Sequence, residues 1–540
     1  ASTAAGQEVR SMTDAAADEM AAFYNRPSTT RLSAGVVLAE GAVVTGDVAV
    51  LGGSMEVRGV VRGDVVVLNG DLLLSPVGRI EGSATVVGGT FQGDTAAAAD
   101  VVVYPEALRV RREDGRIVAA EPERPGALTA GRATRFGRTD LILAVDGSYN
   151  RAEGLPVALG GRVELGRSNP TVLDARLIYR TRAGFRIHPD EVGHDLRLEQ
   201  YVGGHRSVAL GLAKHNTVDP IELRGLSDTE NSLSTFVLHR DYRDHYTRRG
   251  WSAYVRVLGR TRPLEAGLRY RDERHGSIQP GTPWSLLDND EPWRPQPQVA
   301  EGDLRTVEGW VRWDTRNDPD DPSAGWLVDA TVEQALEGSL SILMPDPDAA
   351  EQPAFTRSGV SSGFTSMTVD ARRYFRLGPR TRVALRGLFA GSPDDGALPP
   401  QRQLALGGEG TMPGYGRFQL DCGARAQPAD VEGYFPYYGC DRMLLAQAEL
   451  RFSVLPGLQL GRRLGLDFDL LSRPEVVLFA DAGRAWIEEE SLSYRTDSGP
   501  GSLRFDAGAG LRLGRLGLYI AAPLEGESEL NFFIRLGPRL

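Results

Sequence analysis

The chain has 540 residues, a formal net charge of −11, 25% charged residues and a mean hydropathy of −0.26. The acidic balance argues against a nucleic-acid binder, and no run of about 18 or more apolar residues exists, so no membrane-spanning helix is encoded. All but one of the 61 basic residues are arginine, Lys214 being the exception, which fits a GC-rich genome better than any specific role. The sequence starts Ala1-Ser2-Thr3 without an initiator Met or an apolar leader, so an exported form is expected to have lost its signal peptide before this numbering begins.

Residues 1–33 are polar and Ala-rich, and Met12 to Tyr24 predicts a short helix with Met12, Ala16, Met20 and Phe23 near one face. From residue 34 the character changes. Gly46-Asp47-Val48-Ala49-Val50-Leu51-Gly52-Gly53 is echoed by Gly63-Asp64-Val65-Val66-Val67-Leu68-Asn69-Gly70 and by Gly82-Ser83-Ala84-Thr85-Val86-Val87-Gly88-Gly89, at offsets of 17 and 19 residues. A short period with glycine at corners and valine inside predicts a β-solenoid of three or four coils over 34–118. The segment resembles the bactofilins over about 80 residues, which implies a right-handed β-helix able to stack end to end. Open solenoid ends must be capped or paired. Capping by residues 1–33 and 101–118 is the favoured reading, self-stacking or docking of a periplasmic partner the alternative. Residues 119–138 read as a linker.

Strand candidates then follow one another to the end, and residues 139–540 are expected to form one barrel. In Leu503 to Leu513 the odd positions are all apolar, while the even ones are Arg504, Asp506, Gly508, Gly510 and Arg512. Trp251 to Val257 and Arg382 to Phe389 split the same way. Arginine on one face of strand after strand is too costly for a dry core; a wet barrel lumen accepts it. The terminal segment Glu529 to Gly537 needs a partner elsewhere, and closure into a barrel leaves no edge. Seventeen segments qualify, from 140–149 to 528–537 and including 232–240. Single-chain bacterial barrels have an even number, so one is surplus, and 140–214 is the region where it is expected. Long connections at 274–302, 337–362 and 392–442 contrast with tight turns such as Arg376 to Pro379. Two cysteines, Cys422 and Cys440, lie 18 positions apart in a Gly/Pro/Tyr-rich stretch, which suits a disulfide worth roughly 3 kcal/mol in the chain-entropy model; two free thiols are the other possibility.

Four motifs then carry a resemblance. Trp313-Asp314-Thr315-Arg316-Asn317-Asp318-Pro319, followed by Pro322-Ser323-Ala324-Gly325-Trp326, looks like a strand-turn-strand signature. Leu406-Gly407-Gly408 leading to Gly414-Tyr415 looks like a long loop, about 400–442, that folds into the lumen. Phe479, Asp481 and Gly483 look like the inward motif on the strand this loop touches, with Glu449-Leu450-Arg451 on the strand between. Together they resemble the bacterial surface antigen family, the barrel family of outer-membrane protein assembly and two-partner secretion. The resemblance implies an all-β fold: a 16-stranded antiparallel transmembrane β-barrel, here preceded by a short β-solenoid.

Two departures qualify what the resemblance implies. The family's loop tip carries an arginine before the Gly-aromatic pair, reaching the lumen aspartate; here Pro413 stands in that place, with neither charge nor donor. Arg417 is one substitute for Asp481, and a barrel arginine such as Arg484, Arg504 or Arg512 is the other. The family's periplasmic polypeptide-transport-associated domains are also missing from the front end, so fold transfers better than function.

No Gly-x-Ser-x-Gly elbow or H-E-x-x-H pair is present, so neither an enzyme nor a cofactor or catalytic metal is expected. His239 and His245 near Asp241 and Asp244, and acidic runs such as Asp318 with Asp320-Asp321 and Glu488-Glu489-Glu490, read first as solvated charge and second as cation sites or bridges to lipopolysaccharide. Three functions remain: assistance to insertion or export of outer-membrane or surface components, a structural anchor for the solenoid, and a solute pore. Outer-membrane lipid and lipopolysaccharide are the expected surroundings, with the solenoid in the periplasm.

Overall fold

The computed structural model describes residues 7–9, 14–33, 36–104, 108, 110–113, 116–119, 127–134, 137–166, 169–182, 184, 191–203, 207–222, 225–258, 264–316, 321–345, 355–378, 380–394, 396–417, 419–420, 422, 439–454, 474–487, 501–525 and 530–540. Valine runs and corner glycines wind the first part into a solenoid of three parallel sheets. Val48–Leu51 pairs with Val65–Leu68, which pairs with Ser83–Val87. The repeated Gly-Asp-Val is a hydrogen-bonding corner. Asp47 Oδ1 accepts the N–H of Asp64 at 3.0 Å, and Asp64 Oδ1 accepts that of Ser83 at 2.8 Å. At a second corner Ser54 Oγ accepts from Asp71 N–H at 3.0 Å and Asp71 Oδ1 from Thr90 N–H at 2.9 Å. The 17- and 19-residue offsets are therefore the register of one coil on the next. Glycine is obligatory where coils touch: a Cβ on Gly70 would lie 2.0 Å from the Gly53 carbonyl oxygen.

Both faces of the largest sheet are buried, which is why its strands read as unbroken apolar runs. Val48, Val50, Val65, Val67, Ala84 and Val86 fill the solenoid interior with Leu72, Leu74 and Ile80. The opposite face, including Ala49, Val66, Leu68 and Val87, lies under helix α1 (Asp14–Asn25), through Met20, Phe23 and Tyr24. Met12 lies outside the described residues. Strand Gln7–Val9 pairs in parallel with Asp100–Tyr104 beyond the final coil. A hairpin of Val110–Glu113 and Arg116–Ala119 follows, and Asn25 clamps Ile117 through both its N–H (2.9 Å) and its carbonyl (2.6 Å). Both flanks of the solenoid thus fold back onto it.

The second part is one antiparallel sheet of seventeen consecutively paired strands. They are β1 (Ala127–Thr134), β2 (Gly137–Val145), β3 (Pro156–Leu165), β4 (Thr171–Arg180), β5 (Val192–Val202), β6 (Val208–Pro220), β7 (His245–Leu258), β8 (Leu264–Ser277) and β9 (Glu301–Asp314). There follow β10 (Gly325–Pro345), β11 (Thr365–Gly378), β12 (Thr381–Gly391), β13 (Arg442–Ser453), β14 (Pro474–Trp486), β15 (Arg504–Leu513), β16 (Leu516–Pro523) and β17 (Asn531–Leu536). A short strand, Phe355–Val360, pairs with the far end of the 21-residue β10. Among the described residues no ladder joins β17 to β1.

Side chains alternate as expected. Phe479, Asp481, Gly483, Asp506 and Arg512 face inward, while Leu478, Phe505 and Leu511 are exposed on the wall. Leu141, Leu159, Leu177, Leu212, Leu268 and Phe532 continue that apolar exterior, a surface suited to lipid and costly in water. At the end of the barrel where tight turns such as 514–515 lie, Arg376 joins the two parts. Its Nη1 meets Asp71 of the solenoid at 3.0 Å and its Nη2 donates to Ser323 Oγ at 2.5 Å.

Two expectations are corrected. The segment 232–240 is not a strand: it falls on helix α2 (Asp228–Leu238), opened by a capping box in which Ser227 and Glu230 satisfy each other's backbone N–H. The surplus segment was thus in the β6–β7 connection, outside 140–214. The remaining sixteen segments each overlap a strand, and β1, in the stretch read as linker, brings the total to one more than the family's sixteen. Glu488-Glu489-Glu490, Asp318 and Asp320 lie outside the described residues.

Replacing Gly70 by Ala has to push one coil off the next, at an expected cost of about 1–3 kcal/mol. Limited proteolysis of the full chain across a urea series should show the solenoid cleaved at lower urea, with the barrel's folded electrophoretic mobility unchanged.

Candidate functional site

The connection between β12 and β13 enters the lumen and is held at its root and tip. At the root Gln401 Nε2 lies 3.0 Å from His275 Nδ1 and donates to Ala300 O at 3.0 Å, while Arg402 pairs with Glu333 at 2.6 Å. Leu404 bridges to Cys440 and Leu406 to Leu420, and Cys422 and Cys440 form a disulfide. Residues 423–438 between them lie outside the described set. The turn of the tip needs its glycines: Gly407 and Gly408 have φ of +112° and +88°, where a side chain would be strained.

The tip rests on β13–β17. Gly414 N–H donates to Asp506 Oδ2 at 2.6 Å, and a Cβ there would lie 2.5 Å from Asp506 Cβ, so only glycine permits the approach. Tyr415 Oη donates to Phe505 O at 3.2 Å. Asn531 Nδ2 donates to the carbonyls of Pro413 (3.2 Å) and Gly414 (2.8 Å), and Gln447 Nε2 to that of Thr411 (2.6 Å). On the docking strand a Cβ at Gly483 would fall 2.6 Å from Met412 Sδ. Gly407, Gly408, Pro413, Gly414 and Tyr415 are thus brought to the strand that carries Phe479, Asp481 and Gly483.

Asp481 is paired, but by none of the arginines expected from sequence. Its two oxygens accept from Arg539 Nη1 and Nη2 at 2.8 and 2.7 Å, a fork-on-carboxylate geometry. Arg539 Nε also reaches Glu449 at 3.3 Å, and its guanidinium lies 4.1 Å from the centre of the Phe479 ring. Arg539 belongs to the stretch after β17, which turns at Gly537 (φ +132°), re-enters the lumen and buries Leu540 against Tyr374 and Ala384. Arg417 instead lies 5.2 Å from the centre of the Tyr242 ring. Arg512 pairs with Asp321 and Glu475, Arg504 with Glu525, and Arg484 lies over Trp486. The cation at Asp481 is thus supplied from after the last strand, not from the loop tip.

The strand-turn motif builds the tight-turn end. Arg316 forks Asp314 at 2.9 and 2.7 Å, and Gly325 at φ +106° lets Thr315 and Trp326 close the turn. Pro322 is buried beside it, and the loop carries Asp321 inward, not to the surface. Arg382, Arg451 and Arg512 surround that carboxylate at 3.2, 3.5 and 2.8 Å. Burial pushes the Asp321 carboxyl up, but the three guanidinium groups outweigh it and hold it well below the usual range.

Near β2–β8 a polar chamber of about 370 Å³ is lined by residues including Asn150, Glu153, His215, His245, Arg248 and Glu273. Asp241 and Asp244 do not line it; they are engaged by Arg151 at 3.2 and 2.6 Å, and His239 stacks on Trp293. No cluster of metal-ligating residues is found among the described residues. Burial pushes the Glu153 carboxyl up to about 7, outweighing the attraction of Arg180 at 3.0 Å.

Two outcomes are expected. Arg539→Ala removes the guanidinium from buried Asp481 and should cost about 3–5 kcal/mol, read as a lower temperature for loss of folded-barrel mobility, and Pro413→Arg in the same chain should restore part of it. For Glu153 the folded form holds its proton more tightly than the unfolded chain. Its contribution to stability is therefore full below about pH 4.5 and is lost as pH rises through about 7. Glu153→Gln should flatten that part of a stability-versus-pH profile.

Comparison with curated proteins finds no match. Among solved structures, BamA from Haemophilus ducreyi lacking POTRA domains 1-3 is 13% identical with a TM-score of 0.43, over 79% of this chain and 80% of that one. CdiB from Escherichia coli is 12% identical with a TM-score of 0.35, over 80% and 67%. Residues 296–529, the stretch that carries the lumen loop and its docking strand, match the Omp85 superfamily domain.

Proposed function

We propose that the protein assists insertion or export of outer-membrane or surface components. One observation carries this reading: the outer edge of β17 has no ladder partner among the described residues. An unpaired strand edge is a template for another strand, and here it follows directly on the stretch 296–529 that matches the Omp85 superfamily domain and carries the docked lumen loop. Lipid and lipopolysaccharide are the surroundings proposed for the apolar wall. The solenoid lies in the periplasm on this reading, at the tight-turn end.

A second reading, an anchor that fixes the solenoid beneath the membrane for a periplasmic partner or another copy, is favoured by the Asp71–Arg376 contact. The solute-pore reading has less support, because the loop tip and the Asp321 turn enter the lumen.

The test is reconstitution of the full chain in liposomes with a denatured outer-membrane protein added. Folding severalfold faster than in protein-free liposomes is the expected result. No acceleration, together with self-association of a fragment spanning residues 1–120, would discard insertion in favour of the anchor.

A further inference from the structure

Helix α2 is inside out. Its buried residues are Glu230, Asn231, Ser234 and Thr235, all polar, while Leu233, Phe236 and Leu238 are exposed. A helix that packs on an apolar core shows the reverse. Part of what the polar face meets is the last strand. Glu230 Oε1 accepts from the Leu536 N–H at 2.7 Å and from Arg535 Nε at 2.8 Å, while Oε2 closes the capping box with Ser227 at 2.8 Å.

The Leu536 amide is an edge donor. Gly537 N–H donates to Arg515 O at 2.6 Å, continuing the β16–β17 register in which Arg535 faces Gly517 and Phe533 faces Tyr519. Odd-numbered residues of β17 therefore bond to β16. The amides of Phe532, Ile534 and Leu536 point the other way, to the side where no ladder is present among the described residues. Glu230 thus sits where a neighbouring strand would place a carbonyl. On its other side α2 is tied to the β2–β3 connection, with Tyr149 N–H donating to Ser232 Oγ at 2.9 Å and Asn231 Nδ2 reaching Ser148 Oγ at 3.5 Å. Burial pushes the Glu230 carboxyl up, but Arg535 and the amides of Ser227 and Leu536 outweigh it, so the group stays an ionised acceptor.

We propose that α2 is a detachable edge cap: Glu230 occupies the open edge of the last strand, and an extended segment of another chain has to displace the helix to pair there. This rests on the insertion reading above and adds its regulation. The partner is recognised by backbone chemistry, its carbonyl replacing the Glu230 carboxylate, and no particular side chain is required of it.

The experiment uses the full chain in lipid nanodiscs, followed by amide hydrogen exchange of peptides covering 531–536. Glu230→Ala should speed exchange there by about tenfold or more, the factor that loss of a hydrogen bond to a charged group carries. Glu230→Gln keeps an acceptor and should stay much closer to the parent. Should Glu230→Ala fail to reach folded-barrel mobility, Asn231→Ala, which loosens the far side of the helix and leaves Glu230 in place, should shift exchange in the same direction. Unchanged exchange in the folded variant overturns the cap. In a second arm a photo-crosslinking peptide copying residues 528–537 should couple to β17 more in Glu230→Ala than in the parent, and equal coupling overturns displacement. Faster exchange without client folding in liposomes would keep the cap and remove the insertion reading; client folding without an exchange response would do the opposite.

Discussion

A carboxylate on the inner face of the wall has to be answered by charge from within, and Asp481 is answered by Arg539. Placing that guanidinium requires the chain to leave β17, turn at Gly537 and bury Leu540 against β11 and β12. The consequence spreads along the same ten residues. Asn531 holds the loop tip, Arg535 reaches both Glu230 and the Glu409 carbonyl, and Arg539 joins β13 to β14 through Glu449 and Asp481. The last strand and the residues after it are where loop, helix and wall meet.

The lumen is polar but not loosely so. Toward the tight-turn end Asp321, Arg382, Arg451, Arg512 and Glu475 form a connected network. Toward β7–β10, Arg271 and Arg402 converge on Glu333, while Glu273 meets His215 and His275. Single ion pairs contribute little in water. Buried and mutually bonded, these groups instead fix which connection lies against which strand, because removing one partner strands the charge of another.

Much of this was legible from residue patterns. Period-two alternation separated the two faces of strands such as Leu503–Leu513, the family resemblance implied that Phe479, Asp481 and Gly483 face inward, and the Gly-Asp-Val echo marked the solenoid corners. What failed did so for physical reasons. The 232–240 segment carries Thr235, Phe236 and Val237, residue types enriched in strands, but Ser227-Asp228-Thr229-Glu230 is a capping box and was the signal to weigh. β1 escaped because Ala127–Thr134 has a single large apolar residue, Leu128, on a wall whose neighbours carry several. Arg539 was invisible because a few residues beyond a strand have no periodicity; only the fold shows that they re-enter the lumen.

The count of strands has one more consequence. In a run of antiparallel neighbours direction alternates, so the first and the seventeenth point the same way. Were β1 and β17 to meet, they would form a parallel ladder, the slightly weaker kind, in an otherwise antiparallel wall. One additional strand between them would run antiparallel to both. An odd wall thus closes either through one parallel seam or through one added strand.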